Sequence, residues 1–235
     1  MFLLQNTNLG EQALNKIAEF ALASQFVQSE TLAVNVVTEP TLLAQGKLSA
    51  LSIRGTELCL RSGLQIAQMD LRMGEITVNP LRALTGSIEL VEPIQGEGKI
   101  VLNGKNLTRA LLTDELRHAL KALPDLEIDC LEGQFVTPQQ VAVALHYWTP
   151  LGGKEQTVLQ AEVSAQAPIE LSNPHYSQGQ APSAQLTHML LNQVSKILNL
   201  QQFELNGMTL AVQSITIANQ RAEIRTIARM TAFPS

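Results

Sequence analysis

The fold is decided by residues 55–112, which read GTELCLRSGLQIAQMDLRMGEITVNPLRALTGSIELVEPIQGEGKIVLNGKNLTRALL. Apolar and polar side chains alternate along most of this stretch, as in the run Met69, Leu71 and Met73. Side chains two positions apart on a strand share one face, so each strand has an apolar face and a polar face. Because no long helical pattern separates the strands, the stretch predicts an antiparallel meander.

Interruptions in this pattern predict where the sheet is distorted. The apolar phase slips between Ile66 and Met69, which predicts a bulge or a turn, since a shift of one residue moves side chains to the other face. Pro93 is expected at a strand end because proline cannot donate to a ladder. QGEGK at 95–99 is interpreted as a turn between strands. A long sheet with such interruptions is expected to curl.

Three amphipathic helices are predicted from apolar residues at helical spacing, over about residues 10–28, 105–123 and 183–198. The second helix follows the meander directly and is expected to break near Leu112. Further strands are predicted at 31–38, 126–132, 134–148, 156–166, 202–217 and 220–230, whereas 40–46 and 172–183 are interpreted as loops. The predicted fold class is α+β. One domain over residues 1–235 packs a strongly curved antiparallel sheet around long amphipathic helices.

Composition excludes several classes of function. The chain has 235 residues, a net charge of -5 and only 16% charged residues, which argues against the broad positive field of a nucleic-acid-binding protein. No apolar run is long enough for a membrane span, and the first residues lack the basic region of a secretory signal. We therefore expect a soluble, cytoplasmic protein that is at most peripheral to a membrane.

Reactive residues do not form a recognisable catalytic or metal-binding motif. The four histidines are scattered, without the spacing typical of a metal site, and no cofactor is expected. Glu127 and Asp129 lie two apart on a predicted strand, and general acid–base catalysis would require one of them to be desolvated. Cys59 and Cys130 are interpreted as reduced thiols that act as small apolar side chains, with a disulfide as the alternative. The expectation is a protein that is not an enzyme.

Two segments resemble a known family. LRSGLQIAQMDLRMGEITVNPLRALTGSIEL at 60–90 and IVLNGKNLTRALLTDELRHAL at 100–120 resemble the LmeA-like phospholipid-binding proteins of bacteria. The resemblance lies in the strand pair, in the VNPLRALTG turn at 78–86 and in the strand-to-helix junction at 100–111. It implies a fold similar to the tubular lipid-binding domains, in which a curved antiparallel sheet wraps a long helix and acyl chains lie in the apolar seam. The founding member is exported, whereas no export signal is expected here.

The leading hypothesis is therefore a non-enzymatic protein that binds phospholipid or a similar amphiphile between the sheet and the helix at 183–198, as a lipid carrier or a membrane-peripheral factor. Candidate acyl-seam residues are apolar and lie on the predicted inner faces: Leu14, Ile17, Ala21, Met69, Leu71, Met73, Leu111, Leu120, Met189, Leu190, Val194 and Ile197. Candidate headgroup ligands are basic: Arg109, Arg117, Lys121, Arg225 and Arg229. For these basic residues, the alternative is a solvated face.

Two other classes of function stay open from the sequence. A structural or scaffold protein would have a fully packed core and would bind a protein partner. An enzyme acting on a lipid or a glycan would need a polar cluster in a cleft. A cavity of several hundred Å³ that is lined by apolar residues and opens near basic residues would favour the lipid hypothesis.

Overall fold

A computed structural model describes residues 9–79, 89–121, 127–149, 153–180 and 182–233, and most of these residues lie in antiparallel strands. The described helices are α1 (Leu9–Ala23), α2 (Pro40–Ala44), α3 (Gly104–Leu111), α4 (Asp114–Lys121) and α5 (Ala184–Leu198). The described strands are β1 (Phe26–Gln28), β2 (Thr31–Val37), β3 (Lys47–Leu48), β4 (Ala50–Leu60), β5 (Gln65–Met73), β6 (Ile76–Thr77), β7 (Ile94–Asn103), β8 (Glu127–Val136), β9 (Gln140–Trp148), β10 (Lys154–Val163), β11 (Leu171–Gln178), β12 (Met208–Ala218) and β13 (Arg221–Met230).

The described strands form two main sheets and one short pair. The larger sheet has seven strands in the order β1-β4-β5-β7-β13-β12, with β2 also pairing with β4. The smaller sheet has the order β11-β10-β9-β8, which is a meander because each strand pairs with the next one along the chain, and β3 pairs with β6. The predicted α+β class with antiparallel meander sheets is confirmed.

The predicted phase slip occurs within continuous strands. Glu57 has a φ of 46°, and the β4–β5 ladder passes from the pair Thr56 and Gln68 to the pair Leu58 and Ile66. A left-handed residue in the middle of a strand is a local distortion, since L-residues rarely adopt a positive φ there. The interruption is therefore a local backbone distortion at constant register, and the predicted bulge or turn is not present at this point.

The prediction of a turn at 95–99 is wrong, because these residues lie inside β7. Gly96 and Gly98 are needed there for close packing. A Cβ on Gly96 would collide with the backbone carbonyl of Arg72, and a Cβ on Gly98 would collide with Thr226 Oγ1. Glycine inside a strand often marks such a close approach of a neighbour, and here the signal was mistaken for a turn.

Other boundaries differ from the predictions for local reasons. The first helix ends at Ala23 instead of 28, because Ser24 Oγ donates to Ala21 O at 2.7 Å and the chain then turns into β1. The stretch at 172–183 is mostly strand β11, whose polar residues and Pro174 are tolerated because an edge strand has one neighbour only. The expected loop at 40–46 contains α2, and the turn after β8 lies at 137–139. The predicted break near Leu112 is confirmed.

The two sheets meet at β12, which is the last strand of the larger sheet. The side chain of Gln139, in the turn between β8 and β9, donates to Ile215 O at 2.9 Å and accepts from Ile217 N at 3.0 Å. Ala167 N adds a hydrogen bond of 3.0 Å to Gln213 O. The edge of β12 is thus covered by segments from the smaller sheet, and buried apolar residues of both sheets and of α1, α3, α4 and α5 form one cluster.

Candidate functional site

A groove of about 780 Å³ lies between the helix pair α3–α4 and the strand β8. Leu112 and Leu120 form its helical wall, and Ile128 and Leu131 form its wall on β8. Charged side chains stand around this apolar lining: Arg117, Lys121, Glu127, Asp129 and Glu132. The cavity falls within the range of volumes that is typical of sites for small molecules and cofactors.

Capping residues and one close contact fix the helical wall. Asn103 caps α3, since its side chain accepts a hydrogen bond from Asn106 N at 2.9 Å while Asn106 Oδ1 accepts from Asn103 N. Gly133 N donates to Thr108 Oγ1 at 2.9 Å, which attaches α3 to the free edge of β8. A Cβ on Gly133 would lie 2.5 Å from Leu107 Cγ, so glycine permits the helix to approach this closely. Beyond this contact, the edge of β8 borders the groove.

A β-bulge sets the strand wall. The register of β8 on β9 shifts between Ile128, which pairs with Tyr147, and Leu131, which lies opposite Leu145. Asp129 is the extra residue of this bulge, and it lets two apolar side chains three positions apart lie on the same face of the sheet. Without the bulge, Asp129 would lie on the inner face in place of Ile128.

The charged groups around the groove have opposite signs on its two walls. Arg117 and Lys121 are one turn apart on α4, and the carboxylates belong to β8. Lys154 Nζ donates to Asp129 Oδ2 at 2.8 Å, and this hydrogen bond lowers the pKa of the Asp129 carboxyl below its usual value. The groove therefore combines an apolar interior with a mouth that can contact either sign of charge.

Most of the predicted acyl-seam residues lie in the closed core. Seven of them are 3% exposed or less, namely Met69, Leu71, Met73, Leu111, Leu190, Val194 and Ile197. Ile17, Ala21 and Met189 are half-buried, and Leu120 lines the groove. The side chain of Leu14 lies outside the described residues. The structure thus brings one residue of this set to the groove.

The predicted headgroup residues lie in three separate places. Arg117 and Lys121 line the groove. Arg109 donates to Gln65 Oε1 beside a polar cavity of about 370 Å³. Arg225 and Arg229 are exposed on β13, on the polar face of the larger sheet. Arg225 also borders a cavity of about 520 Å³, but this cavity is lined mainly by charged and polar side chains, whereas Arg117 and Lys121 share the groove with four leucine and isoleucine residues.

Sequence reasoning missed three apolar residues of the groove, Leu112, Ile128 and Leu131. Ile128 and Leu131 are three positions apart within an otherwise alternating strand, which is typical of a bulge. This spacing could have identified the two residues of β8 from the sequence. Cys130 also lines the groove and is an exposed free thiol, so its interpretation as a buried apolar side chain is wrong. Cys59 is half-buried and free, which leaves the disulfide alternative without support.

Two further features are absent from the part of the chain that the structure describes, a metal-binding cluster and a helix that could span a membrane. No group of three or more His, Cys, Asp and Glu residues there could hold a metal ion. Within the same ranges, no helix has both the length and the apolar character that crossing a membrane requires.

A protein-family model matches nearly the whole chain. The model of the LmeA-like phospholipid-binding family matches residues 6–226. Comparisons with curated proteins and with solved structures gave no match. The match includes β8, α3 and α4, which form the groove, and also α5. This chain belongs to the LmeA-like phospholipid-binding family.

Proposed function

We propose that the protein binds one phospholipid or a similar amphiphile without transforming it, and that the groove between α4 and β8 holds the acyl chain. The observation that carries this proposal is the groove itself, about 780 Å³ with an apolar lining and two basic side chains at its mouth, in a member of a phospholipid-binding family. The proposed unit is one domain, in which Gly96 and Gly98 permit strong curvature of the larger sheet.

The energetics of burial support an acyl ligand. Each methylene removed from water contributes about 0.8 kcal/mol, so ten methylenes contribute roughly 8 kcal/mol before the cost of ordering the chain. Leu112 and Ile128 are half-buried and would provide most of the apolar contacts, whereas Leu120 and Leu131 are 7% and 2% exposed and would provide little. The phosphate would contact Arg117 and Lys121. A seam along α5 is a weaker candidate, because Leu186, Leu190 and Ile197 are already fully buried against the core.

A protein partner that adds a strand to β8 is the main alternative occupant. The bulge at Asp129 and the acidic side chains Glu127 and Glu132 argue against it, because bulges and charges are the means by which proteins protect edge strands from other strands. An acyl chain makes no ladder hydrogen bonds and is not affected by the bulge. The groove therefore favours a lipid over a peptide strand.

Binding without catalysis is supported by the family and by the polar groups near the groove. Cys130 lies opposite His146 in the β8–β9 ladder, but within the described residues no hydrogen bond joins their side chains. A nucleophile is normally activated by such a bond to a base. We propose that the protein acts as a lipid carrier or as a factor at the membrane surface.

The proposal is tested by lipid binding with a matched pair of variants. Trp148, the only tryptophan of the chain, lies opposite Glu127 in the β8–β9 ladder, and because Glu127 lines the groove, Trp148 serves as a nearby fluorescent reporter. Dihexanoyl phosphatidylcholine and dihexanoyl phosphatidylglycerol are added as monomers, below their critical micelle concentrations. We expect saturable binding of at least one lipid, weakened about tenfold by Ile128→Gln through the loss of apolar contact.

The control variant is Ile227→Gln, which changes an exposed isoleucine on the larger sheet and should bind lipid as the wild type does. Thermal melts establish that both variants are folded. Lipid is also extracted from the purified protein and identified by mass spectrometry. The proposal fails if the wild type neither co-purifies with lipid nor binds either monomer, or if both variants bind as tightly as the wild type.

A further inference from the structure

Asp129, which lines the groove, already binds an ammonium group that belongs to the protein. Lys154 Nζ lies 5.9 Å from the centroid of the Trp148 ring and 2.8 Å from Asp129 Oδ2. An aromatic face next to a carboxylate is the chemistry by which proteins recognise substituted ammonium ions. Trp148 is 42% exposed, so a ligand can reach its ring from solvent. The lysine thus marks a cation subsite.

The charges around this subsite match a ligand that carries both signs. The chain as a whole has a net charge of -5, but Arg117, Lys121 and Lys154 balance the three carboxylates of β8 at the mouth of the groove. The two cations of α4 face the strand that carries the carboxylates. A headgroup with phosphate alone would add a negative charge where the charges already balance, whereas a headgroup that also carries an ammonium group would add no net charge.

Resting on the lipid-binding function proposed above, we propose that the groove selects phospholipids whose headgroup carries an ammonium group next to the phosphate, as phosphocholine and phosphoethanolamine do. The phosphate contacts Arg117 and Lys121 on α4. The ammonium group displaces Lys154 and takes its place between Trp148 and Asp129.

The existing contacts of Lys154 are of the kind that a ligand can replace. The side chains of Lys154 and Asp129 are 51% and 45% exposed, so water screens their attraction and the pair contributes little stability. Asp129 is the extra residue of the β8 bulge, and its carboxylate is therefore held at the boundary between the groove and the outer face of the smaller sheet. Displacement of the lysine would leave that carboxylate in place for the incoming ammonium group.

The test compares three dihexanoyl lipids that differ in headgroup only: phosphatidylcholine, phosphatidylethanolamine and phosphatidylglycerol. Titration calorimetry with monomeric lipid gives each dissociation constant. We expect both ammonium lipids to bind at least about tenfold more tightly than phosphatidylglycerol. Asp129→Asn and Trp148→Leu should weaken binding of the two ammonium lipids more than binding of phosphatidylglycerol, and so reduce this preference.

Lys154→Met provides the sharpest outcome, because removal of the competing ammonium group should strengthen binding of the two ammonium lipids by about threefold. The matched control is Lys99→Met, which removes a lysine paired with Glu223 at 3.8 Å on the larger sheet and should change none of the three constants. A purely structural role for Lys154 would not increase affinity.

The outcomes separate this inference from the function on which it rests. Equal binding of the three lipids, or tighter binding of phosphatidylglycerol, would overturn the headgroup preference and leave lipid binding intact. If Lys154→Met binds the ammonium lipids more weakly than the wild type does, the proposed displacement of Lys154 by the ligand is wrong. If none of the three lipids binds to the wild type, the proposed function itself is wrong.

Discussion

The protein has two places where a helix faces a sheet or strand, and they differ in how completely they are filled. Along α5, the side chains of Leu186, Leu190 and Ile197 are fully buried, and Gln193 Nε2 closes the contact to α3 with a hydrogen bond of 3.2 Å to Ala110 O. Between α4 and β8, by contrast, a volume of about 780 Å³ stays open. The long apolar stripe of α5 therefore belongs to the closed contact.

An apolar stripe on a helix therefore predicts that its side chains are buried, and it does not predict that they line a ligand site. A regular helix such as α5 can fill the space against its neighbours, because its side chains repeat at constant spacing. The groove arises where regularity is lost, at the break between α3 and α4 near Leu112 and at the bulge that contains Asp129. Two irregular elements leave space where two regular ones would close it.

The largest expected difference between the α5 contact and the groove is in the free energy of unfolding that is lost when a leucine is truncated. Leu190→Ala should lower the free energy of unfolding by about 3 kcal/mol, because Leu190 is fully buried and its loss leaves a cavity. Leu112→Ala should cost only about 1 kcal/mol, since Leu112 is half-buried and borders the open volume. Urea unfolding at constant m-value measures both. Equal losses would contradict the distinction between a filled and an open contact.

A smaller effect of opposite sign is expected inside the larger sheet. Thr226 is 3% exposed, and its hydroxyl has no hydrogen-bond partner among the described residues. Thr226→Val should raise the free energy of unfolding by about 1 kcal/mol, because a methyl group replaces a buried polar group of similar size. Thr216→Val, at an exposed position of β12, is the matched control and should change stability by less than about 0.5 kcal/mol. A destabilised Thr226→Val would show that the interior of this sheet is not as apolar as its packing indicates.

The smallest effect concerns pH at the mouth of the groove. The hydrogen bond from Lys154 lowers the pKa of Asp129 below 3.8, so the folded state holds this proton less tightly than the unfolded state. The stabilisation is therefore present above pH 3.8 and is lost as the pH falls through the lowered pKa. Thermal melts should show a slightly lower Tm for Asp129→Asn than for the wild type at pH 7, and this difference should shrink as the pH falls below 3.8 towards pH 2. A difference of the same size at both pH values would assign the effect to something other than the carboxylate charge.

Much of the fold could be predicted because local chemistry determines it. The stripe of α5 behind the cap at Ser183, and the alternation along β5, each specify an element and its buried face. The prediction of a turn at QGEGK was wrong because glycine favours turns and also close packing inside strands. Only the neighbours Arg72 and Thr226 decide between the two. A strand boundary or bulge depends on the partner strand, which the local pattern does not contain.

The candidate site was less predictable for the same reason. Arg117, Lys121 and Leu120 were named from the helical pattern, and they do border the groove. Their opposite wall depends on which strand lies next to α4 and on the register shift that turns Ile128 inward. Alternation shows that a side chain faces the interior, but the sequence has no local signal for whether that interior is filled.

The hydrogen bonds of Gln139 to β12 also bear on whether the protein aggregates. β12 has 11 residues, and a long uncovered edge strand is a template on which other chains can form a ladder. One glutamine side chain and the nearby segment at 165–167 occupy part of that template. Transient detachment of the smaller sheet would expose it, so a variant such as Gln139→Ala would be expected to aggregate on heating before its secondary structure is lost.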